Sequence, residues 1–262
     1  MPMSEENAGN SAREKVNAAK RLHALLVELR SMGGPNLLTL LPMTLGVTTE
    51  SHQIEPTLAA MQSLGILAQM IFDVQLEISE SRMDIEEHAH YMKFVPTVCT
   101  ALSPVYFAHN WAEIRAKITD VDLTLIASLD LALRRHVQER KIEANEFDEI
   151  LEAVNQALEV LNESELPSNV KDFISDQLIG VKVAIDRYKC RGVRGIQEAI
   201  AGYGGSLAMY KPVIQEKVSD QGKSRLMDVI NFGNALFTLA RGAAWAWPHL
   251  AATIEIIKPL LN

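Results

Sequence analysis

The sequence predicts an all-α protein, a multi-helix bundle of about eight to nine helices. Three observations carry that expectation. Apolar residues recur at steps of three and four over long stretches, capping residues and Gly/Pro stops bracket them, and strand signals do not recur. With 262 residues, 48% of them hydrophobic, the chain can bury a sizeable core, so disorder is not the default state.

Taken in order, residues 1–10 read as a disordered tail: Glu5 and Glu6 stand where a secretion signal would carry Lys or Arg. Ser11-Ala12-Arg13-Glu14 has the form of a capping box. Ala18, Leu22, Leu25, Leu26, Leu29 and Met32 then keep helical spacing until Gly33-Gly34-Pro35 stops the helix. Residues 36–56, with Pro42, Gly46 and Pro56, lack a pattern and are expected to form a connection. A mostly apolar helix is expected over 56–78. Its uncharged part, Thr57 to Phe72, falls short of the roughly 20 apolar residues that span a bilayer, which predicts a helix buried in the middle of the bundle. A more polar helix is expected from Ser81 to Phe94, Pro96 and Pro104 interrupt the next stretch, and a short helix is expected around Trp111 to Ile118.

The middle of the chain has the clearest pattern. Thr119-Asp120-Val121-Asp122 can cap a helix striped by Leu125, Ile126, Leu129, Leu133 and Val137. Asn145 opens a second, with Phe147, Ile150, Leu151, Val154, Leu158 and Leu161 on one face, and Pro167-Ser168 a third, striped by Phe173, Ile174, Leu178, Val181, Ile185 and Tyr188. Short connections predict a central antiparallel three-helix unit near 119–190. Gly192 and Gly195 punctuate the chain after that unit, and Gly202, Gly204 and Gly205 weaken the next helix. Leu226, Val229, Ile230, Gly233, Phe237 and Ala240 form a further stripe. The expected organisation is an N-terminal helical segment at 11–118, a central bundle at 119–212 and a C-terminal apolar segment at 213–262, packed together as one domain.

Charge and cysteine content narrow the function classes. A net charge of −8 and a pI near 5.4 disfavour nucleic acid as a partner, because binding phosphates requires a cationic surface. An acidic body suits a cytoplasmic protein with a protein partner, or one that self-associates. Cys99 and Cys190 are far apart and lack CxxC spacing, so two buried thiols are expected rather than a disulfide or a zinc site. No cofactor is expected.

The densest reactive set is Arg82, Asp84, Glu86, Glu87, His88 and His90. Glu87 and His90 have the Glu-x-x-His spacing that puts a carboxylate and an imidazole on one helical face, half of what a di-iron bundle uses. No second such pair occurs among the other histidines. The alternative is a solvated face of charge pairs. Arg82 and His88 also have an Arg-x5-His spacing that resembles the HEPN-type ribonucleases, which are all-helical. That resemblance would imply a dimer in which the Arg and His pairs meet to cleave RNA without a metal. The family usually has a polar residue directly after the Arg, where this chain has Met83.

Three further clusters stand out. Arg187, Lys189, Arg191 and Arg194, beside Gly192 and Gly195, could hold an anion, or could complement a helix C-terminus with Gly192 at C′. Glu149, Glu152, Glu159 and Glu163 line the polar side of one predicted helix as an acidic ridge, suited to a basic protein partner. Trp245 and Trp247 are candidate interface anchors in the apolar stretch 229–261, which could contact a membrane. No catalytic constellation is complete, so the leading expectation is a non-enzymatic helical interaction or regulatory protein. The alternatives are a membrane-acting protein using its C-terminal segment, and a HEPN-like ribonuclease or metal site at 82–90.

Overall fold

In the computed structural model, which describes residues 15–47, 55–81, 83–135 and 139–241, helices pack as a bundle around two hydrophobic cores. The first core is built from α1 (Ala18–Ser31), α2 (Leu37–Thr44), α3 (Pro56–Glu80), α4 (Ile85–Tyr91), α5 (Phe94–Ala101), α6 (Trp111–Arg115) and α7 (Asp120–Leu133). The second is built from α8 (Asp148–Glu163), α9 (Ser168–Asp186), α10 (Tyr188–Met209), α11 (Lys211–Lys217) and α12 (Asp220–Arg241). The helices outnumber the eight or nine expected because several are very short. The division between the cores falls in the connection after α7, except that Cys190 of α10 belongs to the first core.

Local chemistry explains most helix ends. Asn17, rather than Ser11, caps α1 by accepting from the Lys20 N–H at 2.9 Å; Ser11–Glu14 lie outside the described residues. Thr119 and Asp122 form the expected reciprocal capping box of α7, at 3.2 and 2.9 Å. The expected connection at 36–56 contains α2, which Asn36 caps and whose Leu37, Leu40 and Leu41 are buried one turn apart.

The predicted three-helix unit is not formed. Helix α7 packs on α1, while α8 and α9 pack with α10 and α12 in the other core. The reason lies in the α7–α8 connection, which is not a short turn. It contains the strand β2 (Glu139–Arg140), paired antiparallel with β1 (Lys15–Val16), and a 3-10 turn at Ala144–Phe147. That length frees α7 from the neighbour a tight loop would impose. Phe173, placed on the α9 stripe by its spacing, is instead 39% exposed at the stripe's edge.

Helix α3 is a core helix that is buried along one face only. Its inner face buries Ile66, Leu67, Met70 and Val74, but Leu58, Met61 and Phe72 are about half exposed. It is the one described helix long and apolar enough to cross a bilayer, yet Asp73 and Glu77 on its inner face are almost fully buried within the protein. Charges held inside the fold mark it as a core helix here.

Helix α10 joins the two cores. Cys190 belongs to the first and Val193 to the second, and between them Gly192 breaks the helix at φ +59°, ψ −156°. This backbone conformation is accessible essentially only to glycine. A Cβ at Gly192 would also lie 2.3 Å from a guanidinium nitrogen of Arg21. Gly192 is therefore not a helix C′ residue: α9 ends at Asp186, and Gly192 lets the chain pass closely around Arg21. Beyond it the helix runs unbroken to Met209, and the glycines do not weaken it visibly. At Gly202 a Cβ would be 3.0 Å from the Gln177 Oε1 of α9, and at Gly233 one would be 2.2 Å from Ile200. Both permit close helix approach.

Candidate functional site

The seam between the cores is a buried network of charge. Arg21 of α1, 8% exposed, faces Glu77 of α3 at 3.7 Å and Glu139 of β2 at 3.4 Å. Burial opposes its charge, but Glu139 and then Glu77, with Tyr188 and Asp73, outweigh it and raise the guanidinium pKa above its ordinary value. Each carboxylate also serves a backbone. Glu77 accepts from the Ala18 N–H at 2.8 Å, and Glu139 from the Val193 N–H at 2.9 Å, just where α10 resumes after its kink. Asn17 donates to the backbone oxygen and carboxylate of Asp130, tying α1 to α7.

The basic cluster near Gly192 is absorbed into this seam. Arg191 binds Asp73 through two nitrogens at 3.2 and 3.3 Å and reaches Glu198 at 2.9 Å. Arg194 pairs with Glu80 and Lys189 with Glu28, each at 2.9 Å. Arg187 caps the end of α9. Three of the four anion-site candidates thus hold α10 to α3 and α1. Their partners on α1 and α3 lie more than 100 residues away, beyond the reach of sequence spacing.

Beside the seam is a cavity of about 220 Å3. Its apolar wall includes Val16, Leu25, Met70 and Cys190, and Arg21, Lys20, Lys141 and Lys189 supply its charge. Tyr188 adds a phenol whose oxygen accepts from the Ile142 N–H at 2.8 Å. Burial, then the Glu139 charge, push the Tyr188 pKa up to about 12. Burial also pushes the Cys190 thiol up, which disfavours the thiolate. Spacing along the chain points to neither the cavity nor the network. The signals present in the sequence are Arg21 on an otherwise apolar helix face, and Asp73 and Glu77 on the inner side of α3.

On α4, the 82–90 cluster is spread out. Asp84 is used as the N-cap, accepting from the Glu87 N–H at 2.8 Å. Glu87 and His90 are exposed, and His88 is half-buried with a buried Nε2 that finds no hydrogen-bond partner among the described residues. Arg82 lies outside the described residues, so the geometry of the Arg–His pair is not defined. No group of three or more metal-ligating side chains converges among the described residues. Cys99 is exposed, contrary to the expectation of two buried thiols, because it faces away from the Phe94, Val98 and Ala101 side of α5.

The acidic ridge is one continuous stripe. Glu149, Glu152, Glu159 and Glu163 are all exposed on α8, opposite its buried Ile150, Val154, Ala157 and Leu161. Gln156, within the stripe, donates to Glu152 at 3.1 Å. None of the four glutamates forms an ion pair among the described residues. At the C-terminal end of the stripe an open groove of about 590 Å3 brings Glu159, Glu163 and Glu165 opposite Lys217, Gln221 and Arg225. Trp245, Trp247 and the rest of 242–261 lie outside the described residues. The preceding Val229, Ile230 and Leu236 of α12 are buried in the second core.

No protein-family profile matches the chain, and neither a curated protein nor a solved structure matches it.

Proposed function

We propose that this chain is a non-enzymatic helical interaction protein that docks a basic segment of a protein partner along α8. The observation that supports this reading is the stripe of Glu149, Glu152, Glu159 and Glu163, exposed at helical spacing and free of internal ion pairs among the described residues. The basic cluster near Gly192 is neutralised within the fold, whereas these four glutamates are exposed to solvent. The field of such exposed charges speeds the encounter with a cationic surface and rejects acidic ones. The adjoining groove offers a recess in which part of the partner can be held.

Fluorescence anisotropy with labelled oligolysine and a neutral Gly/Ser peptide of equal length tests this reading on the full chain. Oligolysine is expected to bind, with affinity falling as salt rises. Replacing all four glutamates by Gln should weaken it at least tenfold. Unchanged affinity in that variant, or equal binding of the neutral peptide, would exclude α8 as the docking surface.

A further inference from the structure

The outer face of α3 is used by neither the core nor the α8 reading. Leu58, Met61, Gly65, Ala68 and Phe72 are all exposed and recur at steps of three and four, so they share one side of the helix, opposite the buried Ile66, Met70 and Val74. Leu58, Met61 and Phe72 keep 61%, 48% and 49% of their surface open to solvent. From Thr57 to Phe72 the helix has no charged residue, in a protein whose net charge is −8. The whole of α3 lacks Lys and Arg, the cations that hold an amphipathic helix on anionic lipid, and Gln62 and Gln69 interrupt its apolar band. Such a face suits another protein surface better than a bilayer.

The stripe is symmetric about Gly65. Leu58 lies two turns before it and Phe72 two turns after, each about 10 Å along the axis. Glycine is a poor helix former, and the fold does not require one here, since a Cβ at Gly65 would meet no atom of the described residues within 4 Å. We infer that α3 is the contact face of a homodimer, with a second copy of this chain crossing it antiparallel at Gly65. A two-fold axis there sets Leu58 of each copy against Phe72 of the other, while Gly65 and Ala68 let the two backbones approach closely. The three large side chains expose about 300 Å2, and the small and polar residues between them a similar amount. Pairing therefore buries on the order of 1,000 Å2 in total, the size of a weak but specific interface. The neutral face lets two acidic chains meet without opposed carboxylates at the contact. Their net charges still repel at a distance, so salt strengthens this association, the reverse of its effect on oligolysine binding.

Sedimentation equilibrium of the full-length chain from about 1 μM to about 200 μM tests this contact. A monomer–dimer equilibrium is expected, shifting toward dimer as salt rises. Gly65→Leu fills the crossing point while its Cβ stays clear of the rest of the monomer, so it should weaken dimerisation at least tenfold with the thermal midpoint at low concentration equal or raised. Phe72→Lys should weaken it to a similar degree. In a Cys99→Ser background, Gly65→Cys should give a disulfide-linked dimer on mild oxidation. Ser79→Cys, exposed on the same face but about 40 Å from its counterpart in the dimer, should cross-link at least tenfold more slowly. The inference is overturned if the wild type stays monomeric throughout that range, if the dimer persists undiminished in both Gly65→Leu and Phe72→Lys, or if the two cysteine variants cross-link equally fast. A monomeric wild type that binds phosphatidylcholine vesicles, and loses them on Phe72→Lys, would also overturn it by assigning the face to a bilayer.

Discussion

The basic cluster at 187–194 and the acidic stripe at 149–163 are alike as sequence: charged residues at helical spacing on an amphipathic segment. In the fold they have opposite fates. Arg191 and Arg194 turn inward to Asp73 and Glu80, at the seam where α10 crosses between the cores. The four α8 glutamates are exposed and form no ion pair among the described residues. The difference lies in what each helix packs against. α10 meets α3, which buries two carboxylates on its inner face, whereas the stripe on α8 points away from the second core. A charged cluster becomes structural when a distant helix supplies its counter-charges, and stays available when none does.

The contrast can be pressed hardest at Glu139. Glu139→Gln removes a charge facing Arg21 and weakens the acceptor for Val193 N–H, so a loss of about 3–5 kcal/mol is expected from leaving a buried ion poorly compensated. Urea unfolding of the variant measures it. A loss under ~1 kcal/mol would mean that the seam does not hold the two cores together.

Tyr188 sharpens the comparison through pH. Below pH 10 its phenol is protonated in both folded and unfolded chains, so its contribution is fully present. Above 10 the unfolded chain ionises first, and stability falls until the folded pKa of about 12 is passed. Tyr203, fully buried and also raised, adds to the same alkaline loss. Tyr188→Phe should cost about 0.5–1.5 kcal/mol near neutrality, through the lost acceptor for Ile142 N–H. It should also make the decline between pH 10 and 12 shallower. Parallel stability profiles for the two proteins would contradict this assignment.

The smallest effect is expected on α8. Changing all four stripe glutamates to Gln should move stability by no more than ~0.5 kcal/mol per site, in either direction. Thermal melts of the quadruple variant provide the check, and a large loss would show that the stripe is structural after all. Stable folding with lost oligolysine binding is the outcome that separates its role from that of the seam.

Much of the fold is legible locally. The α7 capping box, the Gly33-Gly34-Pro35 stop and the apolar stripes of α1, α8 and α9 arise from side chains a turn apart, and they appear where spacing places them. Helix α2 escapes the sequence pattern because its apolar turn is short and carries Pro42, which reads as a breaker. The ridge on α8 is legible because exposure is set by its own helix pattern.

The sequence by itself determined the all-α class and most helix faces, because capping and amphipathicity act over three or four residues. Only the tertiary structure decided that α7 joins α1 rather than α8, that the basic cluster is consumed by ion pairs, and that Arg21 sits between Glu77 and Glu139. Each of those depends on partners more than 50 residues away, whose approach is set by the packing of whole helices and by the cost of burying charge unpaired.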